Sequence, residues 1–473
     1  MVLVRGGRII TEVDDYVADI LVDEGRIVAI GRKIEPPAGT EVVEAAERLV
    51  LPGCVDPHTH MDMPFGPTFT CDDFTSGTVA AAFGGTTCHV DFCMQQPGQS
   101  IPEALDAWFE KLRVAPPVVD VGFHVAVTDL SSPARIDELR ELPGRGITSF
   151  KVFMAYKGSF MVDDAGLLQT MEVAAESGSL VMTHCENGDV VDLLVRRAVA
   201  AGDVSPRHHL LTRPPLVEVE ATARAVRLAE LAGAPLYVVH VSCGEAAAEI
   251  AAAQRRGQAV WGETCTHYLV VDDSVFATDD FAAARYVFSP PARDRSEHDR
   301  LWDAIRAGTL SVIASDHAPF SFEQRELGRG DFSKIPNGAA GVEERLLVVH
   351  ELGVRGGRIS LNEMVGLLST RPAKLFGLYP RKGTIAVGAD ADLVIFDPEL
   401  RLSIGPESMR TRCDTSVFDG MQVTGAPETV LVRGIPVVRN RELVAEPGTG
   451  RFVKRGAPML GATPARVAAE VAR

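Results

Sequence analysis

Several features that would mark a membrane, secreted or nucleic-acid-binding protein are missing from this sequence of 473 residues. No run approaches the ~20 consecutive apolar residues that a membrane-spanning helix needs. The first 15 residues lack the apolar core and the cleavage site of a signal peptide. The net charge of −17 disfavours nucleic acid and anionic membranes as partners, because both repel an acidic surface. These absences favour a cytoplasmic globular protein that binds neither nucleic acid nor membrane.

Cysteine is present, but not in the spacing of a redox or zinc-binding motif. The eight cysteines include no CxxC pair. In a chain of this size without a signal peptide, they are expected to be reduced and buried rather than joined in a disulfide framework. Cysteine therefore offers no motif from which to infer a function.

The two ends of the chain share one kind of pattern. Residues 1–52 alternate apolar and polar side chains around glycine-containing turns, which predicts β-strands. The pentapeptide VLVRG at 2–6 returns at 430–434, again before a short apolar run, and 383–397 is expected to add further strands. We therefore predict one small β-sandwich domain that is built from residues 1–52 and 380–449.

Between these ends, in residues 53–379, short apolar runs alternate with longer helical stretches such as 217–232 and 245–256, each followed by a glycine. Eight candidate strands begin at Gly53, Thr86, Val119, Ile147, Leu180, Leu236, Val260 and Leu310. Eight β/α repeats in roughly 270 residues predict an α/β fold, a (β/α)8 TIM-like barrel. A doubly wound sheet is the alternative, but no GxGxxG follows the first strand. Residues 450–473 are expected to form an arm that packs on the body or on a neighbouring subunit.

One apolar run, ITSFKVFMAY at 147–156, contains a single lysine, Lys151. A charged ammonium in a strand that is buried on both faces is costly unless it is paired or loses its proton. The ordinary interpretations are that Lys151 reaches the end of the strand or pairs with an acid. The alternative is an amine that has been recruited to a functional site.

Potential metal ligands stand at the ends of four predicted strands, and Lys151 lies in a fifth. These ligands are His58, His60, His184, His240 and Asp316. The carboxyl ends of barrel strands share one mouth, so the five side chains are expected to converge there. Each alone has an ordinary explanation as a loop residue, a core histidine or a helix cap, but together they predict a metal site. His89, His124 and His267 have no equally clear partner and are interpreted as structural.

The donor types indicate which cation would bind. Four imidazoles, one carboxylate and no nearby thiolate set suit Zn²⁺, with Mn²⁺, Co²⁺ and Fe²⁺ as alternatives. Two divalent ions about 3.5–4 Å apart repel each other and need bridging anions, of which Asp316 is one. A desolvated amine deprotonates readily and then adds CO₂. We therefore predict two divalent metal ions bridged by Lys151 after its carboxylation by CO₂.

Nine blocks of sequence occur in a fixed order along the chain. They are GCVDPHTH at 53–60, SFKVFMAYK at 149–157, THCEN at 183–187, VHVS at 239–242, SPPAR at 289–293, SDHAP at 315–319, IPNG at 335–338, KLFGL at 374–378 and GTIAVG at 383–388. In these blocks the chain resembles the amidohydrolase superfamily and, within it, the dihydropyrimidinase/hydantoinase family, over nearly its whole length. The resemblance implies hydrolysis of 5,6-dihydropyrimidines and/or 5-monosubstituted hydantoins to N-carbamoyl amino acids. It also implies D-selectivity and a homotetramer.

The resemblance also implies how the metal ligands divide. His58, His60 and Asp316 would hold the more buried of the two metal ions. His184 and His240 would hold the more exposed one. The substrate of such a centre would be a small cyclic ureide or imide.

Four residues have further roles that the resemblance implies. Lys151, as a carboxylysine, would bridge both metals, and Tyr156 would donate its phenol to the developing oxyanion. Ser289 and Asn337 would bind the substrate ring through backbone groups. Asp316 would take a proton from the attacking hydroxide and pass it to the leaving nitrogen.

Rival functions are distinguished by single positions. Dihydroorotases place an arginine two residues after HxH, where this chain has Asp62. An allantoinase-like activity remains an alternative within the superfamily. The collapsin-response mediator proteins resemble dihydropyrimidinases but have lost metal ligands; here every ligand position is filled, so a non-catalytic scaffold is disfavoured. Met63, Phe65 and Met94 are expected to form an apolar pocket wall, which does not reveal the size of the substrate.

Overall fold

The computed structural model describes residues 1–277 and 280–459. The strands are β1 Val2–Ile10, β2 Asp15–Asp23, β3 Arg26–Gly31, β4 Glu41–Glu44, β5 Leu49–Pro52, β6 Cys54–Thr59, β7 Pro64–Phe65, β8 Thr68–Phe69, β9 Thr86–Met94, β10 Asp120–Ala126, β11 Ser149–Phe153, β12 Leu180–His184, β13 Leu236–Val238, β14 Val260–Cys265, β15 Leu310–Ala314, β16 Leu393–Ser403, β17 Gln422–Val432, β18 Ile435–Arg439 and β19 Glu442–Leu443. The α-helices are α1 Phe74–Phe83, α2 Ile101–Val114, α3 Ala134–Glu141, α4 Asp164–Ser177, α5 Gly188–Ala201, α6 Arg207–Leu211, α7 Pro215–Ala232, α8 Gly244–Arg255, α9 Ser296–Arg306, α10 Phe322–Arg325, α11 Glu344–Val349, α12 Leu361–Val365 and α13 Arg371–Leu375.

A parallel sheet of eight strands, β6 and β9 to β15, forms the centre of the molecule, with β6 and β15 at its two edges. The two edges meet at the carboxyl ends of these strands. There the His60 amide donates to the His317 carbonyl at 2.9 Å, and Ser315 Oγ donates to the His58 carbonyl at 3.1 Å. The eight predicted strands and the (β/α)8 barrel are therefore confirmed.

The two chain ends build a second sheet of nine strands, β1 to β5 and β16 to β19. Strand β5 joins them, since it pairs in parallel with β1 and antiparallel with β16. This sheet has its own apolar core, to which both ends contribute, for example Val4, Ile20, Leu393 and Leu431. The prediction that both ends form one β domain is confirmed.

The two copies of the pentapeptide lie in different settings, and the region 383–397 supplies one strand rather than several. Arg433 and Gly434 form the turn between β17 and β18, with φ of 48° and 72°, whereas the matching Gly6 lies inside β1 at a bulge. The buried Asp19 carboxylate of strand β2 accepts a hydrogen bond from the Gly6 amide at 2.8 Å. This contact with the neighbouring strand keeps Gly6 within the sheet. The region 383–397 contributes one strand, which begins only at Leu393, because glycines with positive φ turn the chain before it.

Helices cover the outside of the barrel strands. Helix α7 ends at Gly233 with φ +67°, and Gly257 with φ +80° follows α8, as the glycine pattern predicted. No helix in the described ranges has the length and apolar character required to cross a membrane.

The start of the predicted arm packs across the barrel. The Val453 amide donates to the Val121 carbonyl at 2.8 Å, and the buried Arg455 side chain donates to Ser149 Oγ at 2.9 Å. Both partners lie near the amino ends of β10 and β11. The rest of the arm, 460–473, lies outside the described residues.

Candidate metal centre

The predicted ligands converge in one cavity at the carboxyl end of the barrel. His58 lies in β6 and His184 ends β12, whereas His240 and Asp316 follow β13 and β15 and Lys151 lies in the middle of β11. The cavity is lined by His58, His60, Met63, Phe65, Met94, Lys151, Phe153, Tyr156, Phe160, His184, His240, Ser289, Asp316, Ala318, Asn337 and Gly338. Every residue that the sequence nominated for the site therefore lines the same space.

Three of these side chains stand on strained backbone. His240, Asp316 and Tyr156 have φ of +40°, +49° and +65°, in the left-handed region that residues other than glycine rarely adopt. Each such residue costs of order 1–3 kcal/mol and persists only where the surrounding structure enforces it. Strain of this kind concentrates at functional sites, and no local sequence pattern indicated it.

The first donor cluster is formed by His58, His60 and Asp316. The two Nε2 atoms lie 3.0 and 3.2 Å from one oxygen of Asp316, Oδ1. Although burial disfavours its charge, the pKa of Asp316 lies well below the usual value because both imidazoles bond to it. Three donor atoms that meet this closely can hold a metal ion.

The second cluster consists of His184 and His240. Nδ1 of His184 lies 2.8 Å from Nε2 of His240. Burial lowers the pKa of both imidazoles, so their lone pairs are available at neutral pH. The ring centroids of His240 and His58 are 5.6 Å apart, which places the two clusters side by side.

Two buried glutamates support these histidines, and sequence reasoning missed both. Nδ1 of His58 donates to Oε1 of Glu263, whose other oxygen accepts from the Tyr237 hydroxyl at 2.8 Å. Nε2 of His184 donates to Oε2 of Glu186 at 2.8 Å. Metal-binding histidines commonly donate their far nitrogen to a carboxylate, which fixes the tautomer and aims the near nitrogen at the metal. The available signal was that Glu186 follows His184 by two residues.

Lys151 has no acid partner. Its side chain is 1% exposed, and Nζ lies 5.0 Å from the ring centroid of Phe92 and 5.1 Å from that of Phe153. Among the described residues, no side chain or backbone carbonyl accepts a hydrogen bond from Nζ. Burial lowers the pKa of Lys151 to about 8, although Asp316 and Glu263 oppose this effect. The ordinary interpretation, a lysine paired with an acid, is wrong.

Tyr156, Ser289 and Asn337 form the opposite wall. The Tyr156 ring centroid is 5.2 Å from that of His184, and Nδ2 of Asn337 donates to Ser289 Oγ at 3.2 Å. Burial and the nearby charge of Glu186 raise the pKa of Tyr156 to about 12. The phenol therefore keeps its proton and can donate it in a hydrogen bond.

One thiol lies closer to the centre than the sequence indicated. Cys265 and His267 place donor atoms within 4.8 Å of an oxygen of Asp316. Spacing did not reveal this contact because strands β14 and β15 bring the residues together. His89 and His124, by contrast, bond to neighbouring hydroxyl and carbonyl groups and do not line the cavity. All eight cysteines are free, as predicted.

Known proteins resemble this chain in sequence and architecture. The chain matches the model of the Amidohydrolase family over residues 49–437. It is 50% identical over 458 residues to the D-hydantoinase of Geobacillus stearothermophilus, covering 96% of each chain. It is 47% identical to the D-hydantoinase of Ralstonia pickettii, covering 96% of this chain and 98% of that one. The crystal structure of the dihydropyrimidinase from Brevibacillus agri matches with a TM-score of 0.94 at 48% identity, over 96% of this chain and 99% of the other. The chain therefore belongs to the amidohydrolase family.

Proposed function

We propose that this amidohydrolase is a dihydropyrimidinase/hydantoinase. It would open the cyclic amide of 5-monosubstituted hydantoins and/or 5,6-dihydropyrimidines and release N-carbamoyl amino acids. One observation carries the proposal: a single cavity holds two imidazole pairs, a carboxylate and a buried lysine without an acid partner. The names of the relatives described above, which match over nearly the full chain, support the same substrate class.

The donor atoms fit two divalent ions, with Zn²⁺ as the expected metal. His58, His60 and Asp316 would hold one, and His184 and His240 the other. The near nitrogens of His184 and His240 already face each other, as a shared cation would require. When bound, the ions would polarise the ring carbonyl and acidify a water molecule.

Lys151 would supply the bridging anion between the two clusters. Its neutral Nζ would form a bond to the carbon of CO₂ and release one proton, which leaves a carbamate with one negative charge. The low pKa of Lys151 supports this step, since a substantial fraction of the amine is neutral at physiological pH. The product carries the negative charge that the two clusters would need, since the nearby Glu263 carboxylate already accepts from His58 Nδ1, the His240 amide and the Tyr237 hydroxyl.

The remaining residues of the cavity would act on the substrate. Asp316 would take a proton from the attacking water and pass it to the ring nitrogen that leaves. Tyr156 would donate its hydroxyl hydrogen to the oxyanion that develops on the carbonyl. Ser289 and Asn337 would hold the ring through backbone groups, while Met63 would pack against the 5-substituent.

Two rivals are less well supported. A dihydroorotase-like site needs a cation for the substrate carboxylate, but Asp62 stands at that position, does not line the cavity, and pairs with Lys111 at 3.2 Å. A scaffold would not need the full ligand set that this chain keeps. A cytoplasmic homotetramer, with a catalytic barrel at 53–379 and a β-sandwich domain from 1–52 and 380–449, completes the proposal.

The test is a substrate panel with purified, metal-loaded protein. Specificity constants are compared for dihydrouracil, dihydrothymine, hydantoin, both enantiomers of a 5-aryl hydantoin, allantoin and dihydroorotate, and metal is counted per chain. The proposal expects about two divalent ions, activity on hydantoins and/or dihydropyrimidines, and preference for the D-enantiomer. Preference for allantoin or dihydroorotate would overturn the substrate class, and an inactive protein without metal would support a scaffold.

A further inference from the structure

A second set of donor atoms shares Asp316 with the centre described above. Cys265 ends β14, and His267 lies in the turn that follows it. Their sulfur and nitrogen donors and a carboxylate oxygen of Asp316 all lie within 4.8 Å of one another. Cys265 is 0% exposed and His267 is 1% exposed. This set is therefore a compact, buried group of three different donor types.

His267 supplies the independent sign of a missing ligand. Its Nε2 atom is buried and has no hydrogen-bond partner among the described residues. Its ring packs against two aromatic rings, with centroids 4.2 Å from Tyr268 and 4.5 Å from Phe288. A buried polar nitrogen normally has a hydrogen-bond partner. Because this nitrogen lacks one and its ring is packed between aromatic rings, it is available to bind a metal ion.

We propose that Cys265, His267 and Asp316 form a separate site for a thiophilic divalent cation, such as Cd²⁺ or Zn²⁺ in excess. A thiolate and an imidazole together select soft or borderline ions over Mg²⁺ or Mn²⁺. On binding, a sulfur–metal bond forms, and the thiol proton passes to solvent. Asp316 lines the catalytic cavity with a side chain that is 15% exposed, so the cation would enter from there.

Occupancy of this site would affect the reaction through the shared carboxylate. A cation that takes an oxygen of Asp316 competes with the contacts of that residue to His58 and His60. This consequence rests on the proposed function, in which Asp316 moves the proton between water and leaving nitrogen. Excess soft metal would therefore inhibit hydrolysis, with slow onset because the site is buried.

The experiment uses the Mn²⁺-loaded full chain, into which Cd²⁺ is titrated. The background is the Cys71→Ser/Cys413→Ser protein, because these two free thiols are hydrogen-bonded neighbours and could bind Cd²⁺ themselves. Ultraviolet difference absorption reports thiolate-to-cadmium charge transfer. The proposed catalytic ligands contain no sulfur and cannot produce this band. Cys185→Ser is the matched control, since Cys185 is also a buried thiol near Lys151 but stands outside the donor set.

We expect the background protein to show the absorption band and to bind about one Cd²⁺ per chain beyond the Cd²⁺ that replaces released Mn²⁺. Cys265→Ser should abolish the band and His267→Gln should weaken binding, whereas Cys185→Ser should keep both. No band in the background protein, or an equal band in Cys265→Ser, would overturn the site. Activity is measured as the ratio with and without Cd²⁺ within each variant; a full band without inhibition would overturn the regulatory role alone. A protein that hydrolyses no ring substrate would refute the proposed function. The absorption band would still show whether Cd²⁺ binds at Cys265.

Discussion

Two lysines in this protein, Lys151 and Lys382, are each 1% exposed, yet their surroundings are opposite. Nζ of Lys382 lies 2.8 Å from Asp120, 3.1 Å from Asp390 and 2.7 Å from Asp392. Nζ of Lys151 faces aromatic rings instead. Burial opposes both charges, but the carboxylates raise the pKa of Lys382 above its usual value, whereas burial lowers the pKa of Lys151 to about 8.

The difference separates a structural lysine from a reactive one. Lys382 lies where the C-terminal part of the chain returns to the β domain, and Asp120 belongs to barrel strand β10, so this ion cluster joins the two sheets. Lys151 lies in the barrel mouth beside six metal-competent or proton-donating groups. A buried amine without an acid partner is free for covalent chemistry, and the following predictions test that division.

The largest effect is expected from Lys151→Ala. The change removes the proposed bridging carbamate, so the two imidazole clusters lose the anion that offsets metal–metal repulsion. We expect kcat/KM to fall by more than about 10³-fold, beyond the range caused by loss of a single oxyanion donor. Metal content and hydantoin hydrolysis are measured together, and short-chain carboxylic acids should restore part of both. Full activity in this variant would sink the carbamate mechanism.

Lys382→Met should instead damage stability. The substitution leaves the buried Asp392 carboxylate without a cation partner among the described residues, whereas arginines still pair with Asp120 and Asp390. Removing one partner of a buried ion pair in this way costs about 3–5 kcal/mol. Urea denaturation at neutral pH measures the loss, and the folded fraction should keep its metal. A change under about 1 kcal/mol would show that the cluster is solvated and would weaken the contrast between the two lysines.

Sequence patterns predicted the parts of this protein that depend on local order. Strand ends placed His58, His184 and Asp316 at one barrel mouth, because a parallel barrel forces that convergence. The same patterns did not reveal Glu263, because its contact with His58 joins residues that are 205 positions apart in the chain. They likewise missed the cluster around Lys382, in which Asp120 comes from a distant segment of the chain. Glu186 is the exception, since it lies only two residues from the histidine that it supports.

Tyr156→Phe separates the chemistry from the metal centre. The phenol contacts no predicted metal ligand through its oxygen in this proposal, so metal content should stay at the wild-type level. Loss of one oxyanion donor lowers kcat by about 10²–10³-fold. Steady-state kinetics on a 5-substituted hydantoin measures the change, alongside metal analysis of the same sample. A variant that loses metal as well as activity would show that Tyr156 supports the centre rather than the substrate.

The smallest expected effect is the pH dependence of the rate at which metal-free protein regains its metal centre. Chelator-treated protein is supplied with Zn²⁺ at a fixed concentration of dissolved CO₂, and the initial rate of reactivation is followed. Only the neutral amine adds CO₂, and the pKa of Lys151 is about 8 because burial disfavours its charge. The rate should therefore rise about tenfold per unit below that value and level off above it, whereas an ordinary lysine would keep gaining up to about pH 10.4.

Lys382 serves as the internal control in that experiment. Its raised pKa keeps the ammonium protonated across the whole range, so peptide mass analysis under conditions that preserve carbamates should find CO₂ on Lys151 and none on Lys382. A rate that continues to climb far above pH 8 would mean that an acid or water stabilises the Lys151 ammonium after all. In that case, the contrast between an aromatic and an acidic environment would not explain why one buried lysine is chemically available and the other is not.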